Sequence, residues 1–274
     1  MNKIHVKPKP PRAKKPARSL LLVASSMGLA LALCGCTTAA GKPGNPTPGS
    51  APGSTSGTEA GSQSPSPTVT GELGFVPGPE LEAATSGWAK TQEGAVFTAD
   101  AALRAQIPAA EKWLEDINVV PSECGLYGIG SLKDQLNEAV MAAVTLPENL
   151  GADITVASYA DLNALVADVA AQQHLDQSCA KYKISSLQQE ITAKQSELKV
   201  ETSAPYSAGT LIVTVNGGTE SKQVSVRAID GHVMVTATRK VSANPADAAK
   251  SATADVEGIL KVLRDREATA GATP

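Results

Sequence analysis

From about residue 93 onward, apolar positions recur with two different periods, and the order of those periods predicts a fold. "TADAALRAQIPAAEKWLED" reads as a helix from Thr98 to Asp116, capped by Thr98 and kinked or split at Pro108. "INVVPSECG" reads as a short extended piece leading to Cys124. In "SLKDQLNEAVMAAV", Leu132, Leu136, Val140 and Ala143 stand at helical spacing behind Ser131 as cap, and Pro147 and Gly151 stop the element. "DITVASY" predicts a strand. "ADLNALVADVAAQQHL" predicts a helix with Leu162, Leu165, Val166, Val169 and Ala170 on one face, and Ser158 with Asp161 form its capping box.

Beyond residue 182 the period shortens to two. "ITAKQSELKVE" suits a strand better than a helix, although Ile191 and Leu198 also stand at helical spacing. "GTLIVTV", "KQVSVRAI" and "HVMVTAT" are β-branched and separated by Asn216-Gly217-Gly218 and Asp230-Gly231, and Asp-Gly between alternating strands predicts a two-residue type I′ hairpin. The last element, "NPADAAKSATADVEGILKVLRDRE", starts at Asn244 as cap with Pro245 in the first turn and carries Val256, Ile259, Leu260 and Leu263 as a buried stripe. Together these elements predict an α+β domain over 93–268, a mainly antiparallel sheet with helices packed on one face, followed by a disordered tail over 269–274.

The segment before the domain has a different character. The first 18 residues carry seven Lys or Arg and no acid, and "SLLLVASSMGLALAL" follows with fifteen uncharged residues. A permanent membrane helix needs about 20 apolar residues, so this shorter run behind a basic head is the pattern of an export signal. It ends in Leu33-Cys34-Gly35-Cys36, which resembles the lipobox of bacterial lipoproteins. Cys36 fits the acylated position, with Leu33 three residues before it and Gly35 immediately before. Cys34 does not, because Leu33 would then occupy the place of a small residue. The expectation is a signal peptide over 1–35 and a lipid-anchored Cys36, with the protein held on the extracytoplasmic side of the cell membrane.

Residues 36–92 are rich in Pro, Gly, Ser and Thr and poor in large aliphatic side chains, the composition of a disordered tether. A flexible segment of about 55 residues has a mean reach of roughly 40 Å. Removing the seven basic residues of the signal leaves 17 basic against 27 acidic side chains, a formal charge of −10. Nucleic acid is therefore not an expected partner.

Of the four cysteines, Cys34 leaves with the signal and Cys36 is acylated, so Cys124 and Cys179 remain. In an oxidising compartment they pair. Two free thiols, or half of a metal site, is the competing reading.

Catalytic signatures are missing: no GxSxG, HExxH or SxxK pattern surrounds either mature-chain histidine, His174 or His232, and both read as surface residues. Gly125, Gly128 and Gly130 precede a helix start, but no Walker-type lysine follows, so they read as a tight turn capped by Ser131. Tyr127, on that loop, is the one weak candidate for contact with a ligand or partner. No cofactor or metal is implied, and no enzymatic activity.

Taken in order, "INVVPSECG", "ITVASYADLNALVADVAAQQHLDQSCAKYKI", "ITAKQSELKV" and "SVRAIDGHVMVTAT" resemble the extracytoplasmic sensor-like domains of actinobacterial lipoproteins, which are related to the external sensor domain of mycobacterial-type serine/threonine kinases. The resemblance covers roughly residues 95–266. It implies a non-catalytic binding or sensory module of α+β fold, stapled by Cys124 and Cys179, that recognises an envelope component or another protein. The second disulfide of the kinase sensor has no cysteines here, and no kinase domain accompanies the module. A carrier that encloses a lipid or other apolar ligand is the alternative.

Overall fold

The computed structural model describes residues 69–124, 139–186 and 189–271. The residues expected to form the signal, the lipobox with Cys36 and most of the tether, together with Tyr127 and Ser131, lie outside them. The elements run α1 (Gly78–Ala89), β1 (Val96–Thr98), α2 (Asp100–Arg104), α3 (Ile107–Glu115), β2 (Ile117–Val120), a 3-10 turn (Ser122–Cys124), β3 (Ala139–Thr145), β4 (Ala152–Tyr159), α4 (Leu162–Ser178), β5 (Lys181–Ser186), β6 (Gln189–Leu198), β7 (Tyr206–Asn216), β8 (Thr219–Asp230), β9 (Val233–Lys240) and α5 (Pro245–Gly271). The nine strands form one sheet in the order β1-β3-β4-β9-β8-β7-β6-β5-β2, and every neighbouring pair is antiparallel.

Helices α1 and α5 cover one face. Leu81, Ala84 and Trp88 of α1 and Val256, Ile259, Leu260 and Leu263 of α5 meet Ile154, Val156, Val224, Val226, Val235 and Ala237 of the central strands in one core. Each such aliphatic side chain contributes about 1.5–3 kcal/mol when taken out of water. Two ion pairs fasten α5 to this face. Arg239 of β9 donates through Nε and Nη2 to the two carboxylate oxygens of Asp255 at 2.7 and 2.8 Å, and Arg264 donates through Nε to Asp230 Oδ2 at 2.7 Å.

The opposite face is covered in part by α4. Leu165 and Val169 pack there on Ala157, Ile229 and Met234, together with Ala139, Met141 and Tyr159. The expected helical layer is therefore joined by a second, smaller one, so β4 and β9 are buried on both sides.

Most of the predicted strands and both long helices stand where the pattern placed them, including the strand over 189–198 and the α5 cap, where Asn244 Oδ1 accepts from the Ala246 N–H at 3.0 Å. Pro108 does split the helix before β2, separating α2 from α3. Cys124 and Cys179 are joined, Cα atoms 5.5 Å apart, tying the turn after β2 to the end of α4.

Several expectations are corrected. Thr98 is a strand residue opposite Ala143, and the cap of α2 is Ala99. Residues 139–145, read as the end of a helix, form β3. Val140, Ala142 and Val144 turn to the α1/α5 core while Ala139 and Met141 face the other way, so a strand buried on both sides lost its alternation. Leu132 and Leu136 of that expected helix fall outside the described residues. Ser158 lies in β4 and accepts from the Val76 N–H at 2.8 Å, so Asp161 alone caps α4, accepting from the Asn163 N–H at 2.8 Å. The two-residue hairpin loop is Gly231-His232, because Asp230 still pairs with Val233.

The folded part also extends past both expected boundaries. Residues 69–92 contain α1 and the buried Leu73, so these residues belong to the domain and not to the tether. At the other end α5 continues to Gly271, through residues expected in the tail.

Candidate functional site

The sheet face beneath α4 has an apolar end and a polar middle. The apolar end is the row Ala157, Met234, Ile229 and Tyr206, set side by side by strand register and covered by Leu165 and Val169. Two residues further along each strand on the same face, the next row reads Thr155, Thr236, Arg227 and Ala208. Thr238 and Ser225 follow, opposite each other on β9 and β8. Three of these polar side chains, Thr155, Thr236 and Thr238, are buried, and Arg227 is only 9% exposed.

Arg227 and Thr236 face each other directly across β8 and β9. Thr236 Oγ1 is buried without a hydrogen-bond partner. Among the described residues, the Arg227 guanidinium likewise has no hydrogen bond or ion pair. A buried polar group left unpaired costs about 1–3 kcal/mol, and more when it is charged. That cost falls on Thr236 Oγ1, whereas the Arg227 guanidinium, beside it on the same sheet face, keeps contact with solvent and so offers unpaired donors that an incoming group can reach.

Helix α4 crosses this face as a strap. Two turns into the helix Asp168 accepts a hydrogen bond from the Tyr159 hydroxyl of β4. Midway, Gln173 Nε2 donates to the Tyr206 hydroxyl of β7 at 3.2 Å. Near its end, Gln195 Nε2 of β6 donates to the Leu175 carbonyl at 3.1 Å, and Cys179 is held by its disulfide. The strap is thus tied to the sheet at successive points along its length.

Two carboxylates of α4 flank Arg227 electrostatically without pairing to it. Burial pushes the Asp168 carboxyl up from 3.8 to about 6, against the opposing pull of the Tyr159 hydrogen bond and the Arg227 charge. Burial also raises Asp176, opposed by Arg227 and by its hydrogen bond from Gln172, and the negative charge of Glu197 on β6 adds to the rise. Tyr182 of β5 is raised by burial and by Asp176. Eight residues separate Asp168 from Asp176, about 12 Å along a helix, and Arg227 acts on both. Arg227 therefore acts on both acidic groups and forms an ion pair with neither.

His232 belongs to the frame, its Nδ1 2.7 Å from the Tyr159 carbonyl oxygen in the β8–β9 turn, and His174 is exposed near the end of α4. Among the described residues no group of three or more His, Cys, Asp or Glu side chains is placed to hold a metal ion, and no helix is long and apolar enough to cross a membrane. Cys36 and Tyr127 lie outside those residues. Sequence reasoning missed Arg227, Thr236, Asp168 and Asp176. The available signal was a charged residue inside the β-branched run "VSVRAI", which reads as the solvent side of an alternating strand until a second helix is known to cover it.

No family model matches the chain, and no curated protein matches it. Among solved structures it is similar to the extracellular domain of PknH from Mycobacterium tuberculosis, at 12% sequence identity and a TM-score of 0.42, over 69% of this chain and 93% of that one. It is also similar to a putative uncharacterized protein from Mycobacterium smegmatis, at 10% identity and a TM-score of 0.36, over 69% of this chain and 98% of that one. The likeness concerns the arrangement of elements, and no ligand, partner or role is carried across from either.

Proposed function

We propose that the protein is an exported lipoprotein, anchored through Cys36 to the extracytoplasmic side of the cell membrane, whose domain is a non-catalytic binding or sensory module with its ligand site beneath α4. The observation that carries the site is the adjacent pair Arg227 and Thr236 beneath α4, neither side chain partnered within the described residues, with the Thr236 hydroxyl buried and the Arg227 guanidinium still reached by solvent. A polar ligand fits that pair better than a lipid, because an apolar chain laid on Arg227 would leave the guanidinium without acceptors. The anchor rests on the basic head, the fifteen-residue apolar run and the lipobox-like Leu33-Cys34-Gly35-Cys36.

Two measurements test the reading. Fractionation of cells producing the full chain should place it with membranes, and Cys36→Ala should release it; membrane association unchanged by that substitution refutes the anchor. The dialysable small-molecule fraction of the cell envelope should raise the Tm of the purified mature chain, as any ligand that binds only the folded state does. That rise should disappear in Arg227→Gln, and no rise in the unsubstituted protein refutes a small-ligand site.

A further inference from the structure

Resting on that reading, we infer that the site beneath α4 takes a small zwitterion, a free amino acid or short peptide, whose carboxylate sits on Arg227 and Thr236 and whose ammonium faces the Asp176 and Glu197 side. The donors point to the anionic half of the ligand. A guanidinium presents a planar fork of N–H groups that matches the two oxygens of a carboxylate, and it stays charged at any physiological pH. Thr236, directly opposite Arg227 in register, adds a hydroxyl whose oxygen has no partner in the fold. Cβ atoms of directly opposite residues are about 4.5–5.5 Å apart, close enough for both side chains to reach one carboxylate.

The surrounding charge points to the cationic half. Arg227 is one positive charge, whereas α4 carries Asp168 and Asp176, which both feel that charge, and β6 carries Glu197 on the same sheet face as Gln195. A phosphate dianion, or a carboxylate with no compensating charge, would add negative charge to a face already rich in it. A neutral sugar would leave the guanidinium without a charged acceptor. A zwitterion adds no net charge, and its ammonium meets Asp176 and Glu197: Gln195 of β6 is bonded to the carbonyl of Leu175, next to Asp176, and Glu197, two residues on along the same face, stands in register with Thr210 and through it with Ser225, one row from Arg227. Thr155 stands beside Thr236 in the same row, and Tyr206 lies one row away on β7 with its hydroxyl accepting from Gln173.

The test is an NMR titration of the mature chain, following the arginine Nε–H resonances, with alanine and glycylglycine as probes. Acetate, ethylamine, inorganic phosphate and glucose serve as comparisons. Alanine or glycylglycine should move the Arg227 resonance saturably and bind at least tenfold more tightly than acetate or ethylamine. Arg227→Lys should weaken that binding tenfold or more, and Asp176→Asn several-fold. Equal binding of acetate and alanine, or phosphate or glucose binding best, overturns the zwitterion while leaving a ligand site beneath α4. Zwitterions that leave the Arg227 resonance unmoved overturn it as well, and if the envelope fraction also fails to raise the Tm, the site itself falls. The resonance readout uses the unsubstituted protein, so the outcome does not depend on any variant folding.

Discussion

Replacing Asp168 by Asn isolates the acidic side of the candidate site in a single measurable slope. The carboxyl is partly buried under α4, accepts the Tyr159 hydroxyl and feels Arg227, and burial outweighs both, raising it from 3.8 to about 6. A carboxyl that holds its proton more tightly in the folded than in the unfolded chain makes stability fall as pH rises between those two values. The folded state binds the extra proton from about pH 4 to about pH 6, so the charge is fully imposed on the fold above pH 6. A shift of about two units corresponds to about 3 kcal/mol, an upper bound for the stability lost across that window. Asn keeps the size and can still accept the Tyr159 O–H, but it does not titrate.

Chemical denaturation of both proteins at pH 4, 5, 6 and 7 therefore should give equal midpoints near pH 4. By pH 7 the variant should be more stable by about 1–3 kcal/mol, at unchanged m-value. Taking the difference between the two proteins cancels every other titrating group. Parallel stability curves would show that the folded-state pKa is ordinary. A variant less stable at pH 7 would show that attraction to Arg227 outweighs desolvation, and the picture of an arginine paired with neither carboxylate would be wrong.

Two further outcomes concern the frame. Gly231 has φ 56°, and a Cβ built on it would stand 2.0 Å from the Leu73 carbonyl oxygen, where the chain entering the domain crosses the β8–β9 turn. Gly231→Ala should cost about 2–4 kcal/mol in denaturation midpoint analysis, the strain of the left-handed conformation plus the displaced crossing; a cost below about 1 kcal/mol would show that this segment yields freely. Leu81→Ala removes a fully buried α1 side chain and should cost about 2–5 kcal/mol. A chain beginning at residue 93 should lose its cooperative transition by circular dichroism, and a sharp two-state melt of that chain would return α1 to the tether.

What the sequence revealed and what it hid divide along a physical line. The hairpins were legible because Asn216-Gly217-Gly218 and Asp230-Gly231 supply residues that accept positive φ, observed at 55°, 85° and 56° for the three glycines. Helix α5 was legible because its cap and stripe are local, and the disulfide because reading Cys34 and Cys36 as part of an export signal left only Cys124 and Cys179 to pair. Helix α1 was not. Its Leu81, Ala84 and Trp88 sit among Gly, Pro, Ser and Thr, and what orders them is contact with α5 and β3, which no local pattern carries. Within that contact, a Cβ on Gly258 of α5 would stand 2.4 Å from Trp88 Nε1, so the indole fits only because the helix is bare there.

The candidate site was hidden for a related reason. In β8, Val224, Val226 and Ala228 face the α1/α5 core, so Ser225 and Arg227 between them read as the wet side of an ordinary amphipathic strand. That inference holds only for a sheet covered once. Here α4 closes over the second face, but its apolar residues Leu165 and Val169 cover only the end near Ile229 and Met234. Further along the same strands the helix brings carboxylates and glutamines, so the residues beneath it are buried without being made apolar. A strand pattern that predicts an open solvent face then yields an arginine only 9% exposed, and the mismatch between polar sequence and buried position is what distinguishes this face from the core on the other side. Among the described residues each face holds one buried hydroxyl without a partner, Thr85 of α1 and Thr236 of β9, but only Thr236 stands directly opposite an unpaired arginine, and that pairing is what a further group could meet.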